Sequence, residues 1–418
     1  MTMNEINNQI KSILGQFDSS PSYFQLKQNL INSITNHLSL FDFDLSDYPL
    51  IEPTELYVRK SGGEITNSLY SFIDPGGNRV SLRPEFTTSV IRSYLEDKDQ
   101  YSLPVRRQYA GPVFRYQTFI DEPSFRQFTQ QGCELIGSLH EAYPELFKDE
   151  IDTDALILRL SLESLAKSGI GSVSVKIGHV GFIKEILKKY NLTDAMELFV
   201  FSYLKDISNS EISLSKILEE AFNIGLISDI SSQNPDLNSS EPEWTYDLVK
   251  SSFKELLSEN LGRRTVDQVI DRFLNKRNTG SVNKDQFRSA INDLAMFINK
   301  DYIVVHDSAG PNILNIASED TSRDTDSIVS GYMNSLMEKV GPIADLDVTY
   351  KVDFAIQRGL TYYTGLIFDI EANGTYSGKN LGGGGRYNGL VKSMGSDINL
   401  PAIGFAVNIE SILECVKN

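Results

Sequence analysis

Residues 103–117, LPVRRQYAGPVFRYQ, and residues 124–138, SFRQFTQQGCELIGS, decide the fold of this chain. Apolar and polar residues alternate along 105–116 and again along 125–137, a pattern typical of β-strands. The short segment 118–124 between them contains Asp121 and Pro123 and predicts a loop. The two runs therefore predict two long antiparallel strands joined by that loop.

The second of these strands carries a polar row. Gln130, Gly132 and Glu134 share one face, because side chains alternate between the two faces of a strand. A lone carboxylate here would be a surface residue, but the glycine between the two polar residues leaves space for a ligand. Arg115 ends the first strand and Glu85 lies upstream. A mixed polar row of this kind makes a poor core, so it predicts the floor of a site for a small zwitterion.

Composition limits the class of protein. With 418 residues, 40% of them hydrophobic and 23% charged, the chain is predicted to fold as one large domain with an insertion, or as two to three domains. The net charge of −17 is spread along the chain, and no run of Lys and Arg exceeds two residues. Binding to nucleic acid is therefore not predicted.

The sequence predicts no metal, cofactor or membrane contact. Cys133 and Cys415 do not make a disulfide framework, and the four histidines have no ligand-like spacing. The first residues, MTMNEINNQIKSILG, lack the basic start and apolar block of a secretory signal. No apolar run approaches the length of a membrane span. We therefore expect a cytoplasmic protein.

Patterning along the chain predicts four segments. An N-terminal extension, 1–20, precedes the first part of a core, 21–190, in which Pro21 begins a helix and Thr87 or Thr88 caps another over 87–95. An acidic helical insertion follows over 191–300, with helices expected at 244–261, 264–276 and 283–299. The second part of the core, 301–418, returns to strands, of which one is expected at 302–305 and another at 348–356.

The glycine run 382–385 allows a backbone to approach a ligand or another strand closely, and it is also compatible with a crowded sheet edge. It does not predict a phosphate loop, because the Lys-Ser/Thr ending is missing. Arg83 and Arg115 are candidates for structural ion pairs with Glu85 and Glu134.

Six segments resemble, in order, the signature segments of histidyl-tRNA synthetases: RPEFT, GPVFRYQ, FRQFTQQGCELIG, QRGLTYYTGLIFD, GGGGRYNGLV and PAIGFAVNIE. The resemblance covers roughly residues 20–180 and 345–418. It implies an α+β fold of the class II aminoacyl-tRNA synthetase type, with a mainly antiparallel sheet flanked by helices and a helical insertion. The region around Pro53 is similar to the dimerising motif of the class, which implies a homodimer core.

The resemblance also implies a histidine pocket. Glu85 matches the carboxylate that holds the amino group, and Gln130 and Glu134 match the pair that contacts histidine. A carboxylate accepts from an ammonium group, and an acid or phenol pairs with imidazole nitrogens. The whole implied set is Glu85, Thr87, Gln130, Glu134, Arg358, Tyr362 and Tyr363, in which Arg358 matches the arginine that contacts the histidine carboxylate and the adenylate.

The sequence departs from the synthetases at the nucleotide end of the site. Ser411 stands where the family carries an arginine that clamps the ATP phosphates, and an uncharged hydroxyl cannot neutralise a triphosphate. Gln117 replaces an acid that contacts adenine, and Thr361 replaces an aspartate. Arg115 persists where the class contacts the α-phosphate. A synthetase also continues into an anticodon-binding domain, whereas this sequence ends at Asn418.

A second branch of the same family is the regulatory subunit of ATP phosphoribosyltransferase, the first enzyme of histidine biosynthesis. The departures predict that this chain is such a non-catalytic subunit. It would form a homodimer core within a hetero-oligomer, support the activity of the short catalytic subunit, and sense histidine for allosteric feedback inhibition. Two alternatives stay open: a truncated or divergent histidyl-tRNA synthetase, which the retained Arg358 favours, and a dimeric scaffold with neither activity.

Overall fold

The computed structural model describes residues 18–58, 68–116, 125–209, 214–227, 284–300, 302–307, 310–315, 323–356 and 362–416. The described chain divides into two compact units. The larger unit contains the described parts of 1–177, 302–352 and 359–418, and the smaller unit contains those of 178–301 and 353–358.

The strands are β1 (Asp44–Leu45), β2 (Ile51–Pro53), β3 (Ser71–Ile73), β4 (Arg79–Leu82), β5 (Val105–Phe114), β6 (Gln127–Ile136), β7 (Ser172–His179), β8 (Tyr302–Asp307), β9 (Gly310–Asn315), β10 (Asp347–Val352), β11 (Leu366–Ala372), β12 (Asn380–Arg386) and β13 (Ala402–Asn408). The largest sheet has eight strands in the order β1-β5-β6-β13-β12-β11-β7-β10. Its central pairs are antiparallel, whereas β1–β5 and β7–β10 are parallel. The predicted mixed, mainly antiparallel sheet is confirmed.

The helices are α1 (Pro21–Ser39), α2 (Thr54–Val58), α3 (Thr87–Glu96), α4 (Leu139–Ala142), α5 (Glu150–Ala166), α6 (Val180–Lys188), α7 (Asp194–Ser202), α8 (Leu204–Asn209), α9 (Leu214–Asn223), α10 (Lys284–Ile298), α11 (Arg323–Val340), α12 (Leu390–Ser393) and α13 (Ile409–Val416). Helices α6 to α10 belong to the smaller unit. The predicted helix 283–299 is confirmed as α10, and the predicted helices 244–261 and 264–276 lie outside the described residues.

Helix α1 forms because its sequence begins with a cap and continues with an apolar stripe. The Ser20 hydroxyl accepts from the Tyr23 N–H at 3.2 Å, and Pro21 occupies the first turn. Leu30, Ile34 and Leu38 recur every four residues and are buried. The amide of Gln131 on β6 donates to the Ile31 carbonyl of α1 at 2.9 Å, so α1 covers the sheet face to which Gln131 points.

The glycine run lies inside the sheet. Strand β12 pairs with β11 on one side and with β13 on the other, so the alternative of a sheet edge is wrong. A Cβ on Gly384 would lie 2.8 Å from the Cα of Phe405 on β13. Glycine is required here because neighbouring strands approach one another more closely than a side chain allows.

The hairpin of β8 and β9 replaces the single short strand predicted at 302–305. Strand β10 ends at Val352, four residues before the predicted end at 356, because the chain turns over Phe354–Ala355. Across the described residues, no helix is long and apolar enough to cross a lipid bilayer.

Candidate ligand-binding site

The candidate site lies on the face of the large sheet opposite α1. Directly opposed residues of antiparallel strands point to the same face. Glu134 on β6 is opposed by Arg107 on β5 and by Gly404 on β13, and Gly404 is in turn opposed by Gly385 on β12. The next row contains Gly132, Ala406 and Gly383. Small residues in the middle of the face therefore leave room beside Glu134.

Glu134 depends on a glycine of the neighbouring strand. A Cβ on Gly404 would overlap the Glu134 carboxylate, since it would lie 2.6 Å from the carboxyl carbon. Gly132 is equally constrained, because its Cβ would lie 2.8 Å from the Cα of Ala406. Gly404 therefore leaves the space that the carboxylate occupies, whereas Gly132 allows β6 and β13 to approach each other closely.

Three hydroxyl groups converge on the Glu134 carboxylate, which is 2% exposed. Thr87 donates to Oε1 at 2.7 Å, and Tyr109 donates to the same oxygen at 3.1 Å. Tyr387 donates to Oε2. A carboxylate has about four acceptor positions, so these donors leave about one for a ligand N–H.

Burial raises the pKa of Glu134 to about 7. The hydrogen bonds from Tyr387, Thr87 and Tyr109 lower it, and the nearby Glu85 raises it further. The group therefore changes charge near neutral pH, where an imidazole also titrates.

Glu85 is buried and lies against the start of α3. Both of its carboxyl oxygens accept from the Thr88 N–H at 3.3 Å, and the Thr88 hydroxyl also donates to Oε1. Burial raises the pKa of Glu85, while the bonds from Thr88 and the charge of Arg115 lower it.

The predicted cap of α3 by Thr87 or Thr88 is wrong. Phe86 occupies the N-cap position without a side-chain hydrogen bond. The reason is that the Glu85 carboxylate satisfies the amide of Thr88, while the Thr87 hydroxyl donates to Glu134.

Tyr362 and Tyr363 complete the wall of the site. Both are buried, and their ring centroids are 5.1 Å apart. The Tyr362 ring also meets Tyr387 edge to face at 5.6 Å. Burial raises the pKa of Tyr362 well above its usual value, and the nearby Tyr363, Glu85 and Glu134 raise it further, whereas the Thr87 hydroxyl lowers it.

Within the described part of the chain, two residues of the predicted site have a buried polar side-chain atom without a hydrogen-bond partner: Tyr362 at its hydroxyl and Gln130 at Oε1. Buried polar groups in native proteins are nearly always paired. Gln130 lies on the same face of β6 as Glu134. The two atoms are thus candidates for bonds to a ligand.

Arg83 is a structural residue. Its guanidinium donates to the Tyr48 carbonyl at 2.6 Å and to the Pro112 carbonyl at 2.8 Å, and it lies 4.0 Å from the centre of the Phe86 ring. No ion pair within 4 Å joins Arg83 to Glu85, so that alternative is wrong for Arg83.

Arg115 is half-buried at the end of β5. Its Nε donates to the Pro84 carbonyl at 2.9 Å, and the guanidinium carbon lies 5.3 Å from the centre of the Phe128 ring. The chain is thereby held beside Glu85, whose pKa the Arg115 charge lowers.

Ser411 occupies an ordinary helix start. It is the third residue of α13, is 6% exposed, and donates its N–H to Oδ1 of Asn408 at 3.2 Å. The preceding Glu410 accepts from the Thr129 N–H at 2.6 Å and from Lys27 at 2.7 Å. These contacts join α13 to β6 and α1.

The structure brings together Glu85, Thr87, Glu134, Tyr362 and Tyr363, and it places Gln130 on the same sheet face. Arg358, Gln117 and Thr361 lie outside the described residues. Sequence reasoning missed Tyr109 and Tyr387. The strand register gives a signal for Tyr109, because it opposes Gly132, whereas Tyr387 follows the end of its strand and gives none.

The site has the chemistry of a recognition site for a nitrogen-rich ligand. Two buried carboxyl groups accept from ammonium or ring N–H groups, and phenols can donate to or accept from a second ring nitrogen. Within the described ranges, no group of three His, Cys, Asp or Glu residues could hold a metal ion.

The fold is that of the class II aminoacyl-tRNA synthetases. One similar structure, from Bacillus halodurans, is named ATP phosphoribosyltransferase regulatory subunit/histidyl-tRNA synthetase; its TM-score is 0.55 at 20% identity, over 98% of this chain and 83% of that one. A histidine–tRNA ligase subunit from Alicyclobacillus acidocaldarius has a TM-score of 0.55 at 18% identity, over 98% and 97%. Apo histidyl-tRNA synthetase from S. aureus has a TM-score of 0.51 at 22% identity, over 98% and 74%.

A family model described as histidyl-tRNA synthetase matches residues 15–226 and 244–412, and this chain belongs to that family. Its relatives include the histidine–tRNA ligase of Methanocaldococcus jannaschii, 27% identical over 403 residues, which are 96% of this chain and 74% of the relative. The histidine–tRNA ligase of Sulfurisphaera tokodaii is 27% identical over 384 residues, which are 91% and 68% of the two chains.

Proposed function

We propose that this chain binds histidine without activating it and serves as the regulatory subunit of ATP phosphoribosyltransferase in the first step of histidine biosynthesis. In this role it supports the activity of the short catalytic subunit and transmits feedback inhibition by histidine. The name of the Bacillus halodurans structure, which combines the regulatory subunit with the synthetase, is consistent with this assignment.

The observation that carries the proposal is the local structure at Ser411. By the sequence resemblance, this residue stands where the synthetases carry their phosphate-clamping arginine; it is buried at the start of α13, and a hydroxyl is its only polar side-chain group. Neutralising a transferring phosphoryl group requires a preorganised cation, and losing one typically slows the reaction by orders of magnitude. Adenylation of an amino acid is therefore not expected.

The proposed histidine complex uses the half of the site that resembles the histidine pocket of the synthetases. The α-ammonium group binds Glu85, and one imidazole N–H donates to the acceptor position that is left on Glu134. The unpaired Tyr362 hydroxyl donates to the second imidazole nitrogen, and Gln130 adds an acceptor. The α-ammonium group and both imidazole nitrogens thereby meet partners of complementary hydrogen-bonding character.

The proposed assembly is a homodimer core that binds the short catalytic subunit. Histidine can shift such an assembly only if it binds the less active state more tightly than the active state. The pocket must therefore differ between the active and the less active state, and the three hydroxyl groups that converge on Glu134 form a network that can differ between them.

Reconstitution tests the proposal. The chain is mixed with a short-form catalytic subunit from the same source, and formation of phosphoribosyl-ATP is followed with and without histidine. Activation that histidine suppresses is the expected result. Absence of both activation and a stable complex would refute the regulatory assignment.

A second candidate is a divergent histidyl-tRNA synthetase. The relatives at 27% identity named above are histidine–tRNA ligases, and Arg115 is retained beside Glu85. The discriminating measurement is histidine-dependent exchange of pyrophosphate into ATP, with an authentic synthetase as the positive control. Exchange well above background would favour the synthetase, whereas the Ser411 substitution predicts none.

A further inference from the structure

A buried ion pair lies behind the candidate site. Arg386 at the end of β12 contacts Oδ1 of Asp154 on α5 through Nη2 at 2.7 Å and Nε at 2.9 Å. Tyr332 on α11 donates to Oδ2 of the same carboxylate at 2.8 Å. Arg386 is 4% exposed and Asp154 is 2% exposed. One buried carboxylate therefore ties a central strand to two helices.

Stability alone is a weak reason for such a pair. Desolvating two charges costs several kcal/mol per ion, and apolar replacements of buried pairs are often neutral or stabilising. A directed ion pair does, however, restrict the positions that its partners can adopt. The segments that Arg386 holds in position therefore indicate what the ion pair contributes to the protein.

Arg386 is connected to both segments that supply tyrosines to the site, the one with Tyr387 and the one with Tyr362 and Tyr363. Its neighbour along the chain is Tyr387, whose hydroxyl donates to Glu134. Its carbonyl accepts from the N–H of Thr364 at 2.8 Å, immediately after Tyr362 and Tyr363. Thr364 in turn accepts, through Oγ1, from the N–H of Asn388 at 3.0 Å.

The side chain of Arg386 is also closely packed. A Cβ on Gly365 would lie 3.0 Å from Cδ of Arg386, so the segment that follows the tyrosines runs directly over the arginine stem. A shift of the arginine stem is therefore expected to displace this segment.

We propose that the cluster of Asp154, Arg386 and Tyr332 is a positioning device that sets the ligand affinity of the site by holding Tyr362 and Tyr387 against Glu134. The identity of the ligand as histidine rests on the proposed function, whereas the positioning role does not. Because Tyr332 belongs to α11, a change in the position of α11 would alter the affinity of the site, and by linkage the ligand would act on α11.

The first test compares Asp154→Asn, which keeps the shape and removes the charge, with Tyr332→Phe, which removes one hydroxyl. Histidine affinity is measured by calorimetry well below the unfolding temperature of each variant. We expect affinity to fall about tenfold in Asp154→Asn and about threefold in Tyr332→Phe, within the range seen for residues coupled to a site without contacting its ligand.

Lys339→Met is the matched control. Lys339 on α11 forms an ion pair with Asp152 on α5, so it joins the same two helices but does not contact β12. We expect this variant to keep the histidine affinity of the wild type. An affinity loss equal to that of Asp154→Asn would show that the helices act only as a general support and would overturn the proposal.

A second measurement, the titration of Glu134, needs no ligand. The groups that face Glu134 are Thr87 of α3, Tyr109 and Cys133 of the strands, Tyr387, Tyr362 and Glu85. The Tyr387 bond lowers the pKa of Glu134, so a displaced Tyr387 should move the titration of Glu134 to higher pH. The titration is obtained from the unfolding free energy of each protein relative to its Glu134→Gln counterpart, as a function of pH.

We expect this titration to shift upward in Asp154→Asn and Tyr332→Phe and to stay unchanged in Lys339→Met. No shift in either cluster variant, together with an unchanged affinity, would overturn the proposal. If the wild type binds no histidine, the proposed function fails, and the ligand-free titration alone decides the positioning role. If Asp154→Asn does not fold, histidine affinity and the Glu134 titration are both measured in Tyr332→Phe.

Discussion

The carboxylate of Glu134 lies directly against the backbone of Gly404 on the neighbouring strand, in the space that a side chain at position 404 would need. The two residues are directly opposed in the antiparallel pair of β6 and β13. One strand thus supplies the polar group of the candidate site, and the other supplies the space for it.

Gly404→Ala should displace the Glu134 carboxylate, because the new Cβ would lie 2.6 Å from its carboxyl carbon. We expect histidine affinity to fall about tenfold or more, since losing a hydrogen bond to a charged group costs about 1.5–3 kcal/mol. Calorimetric titration measures the effect. Gly171→Ala is the control, because its Cβ would meet nothing within 4 Å. Equal affinities for the two variants would refute this placement of Glu134.

Glu134→Ala should abolish inhibition by histidine while leaving activation of the catalytic subunit largely intact. The carboxylate lies within the pocket and is 2% exposed, so its removal does not alter a surface that a partner could contact. The measurement is phosphoribosyl-ATP formation in the reconstituted complex over a range of histidine concentrations. Parallel loss of activation and inhibition would contradict the assignment of the pocket.

The stability of the wild type relative to Glu134→Gln should fall as the pH rises. The folded-state pKa of Glu134 is raised to about 7, above the ordinary value of 4.5, so folding favours the protonated carboxyl group. Its contribution is fully present below about pH 4.5 and is lost as the pH passes through 7. The difference amounts to about 3 kcal/mol. Chemical denaturation of both proteins between pH 4 and pH 8 measures it, and parallel curves would rule out a buried titrating Glu134.

Tyr362→Phe should weaken histidine binding without destabilising the ligand-free protein. The Tyr362 hydroxyl is buried and has no hydrogen-bond partner among the residues that the structure describes, so removing it relieves a desolvation cost. Tyr387→Phe should instead lower the unfolding free energy by about 1–2 kcal/mol, because Glu134 loses a donor. Denaturation and calorimetry on the pair check both statements. A loss of stability in Tyr362→Phe equal to that in Tyr387→Phe would contradict the first.

Local sequence patterns were sufficient to predict a helix or strand wherever neighbours in sequence determine its conformation. Ser20 and Pro21 predicted the start of α1, and the alternation along 105–116 and 125–137 predicted β5 and β6. Strand β9 was not predicted, because Pro311 interrupts its apolar pattern and proline is disfavoured in strands. The cap of α3 was predicted at the wrong residue, because Thr87 is attracted by a carboxylate on a distant strand.

The sequence by itself determined the polar row Gln130–Gly132–Glu134, because a strand period of two places these residues on one face whatever the surroundings. It indicated the fold class through the resemblance of its six motifs to those of the histidyl-tRNA synthetases. Only the tertiary structure decided that Tyr109 and Tyr387 donate to Glu134, that Arg83 binds carbonyl oxygens, and that Arg386 is paired with Asp154. These contacts join residues from 25 to 253 positions apart in the chain, such as Tyr109 with Glu134 and Tyr387 with Glu134. Strand register and helix packing establish such distances, and no local pattern encodes them.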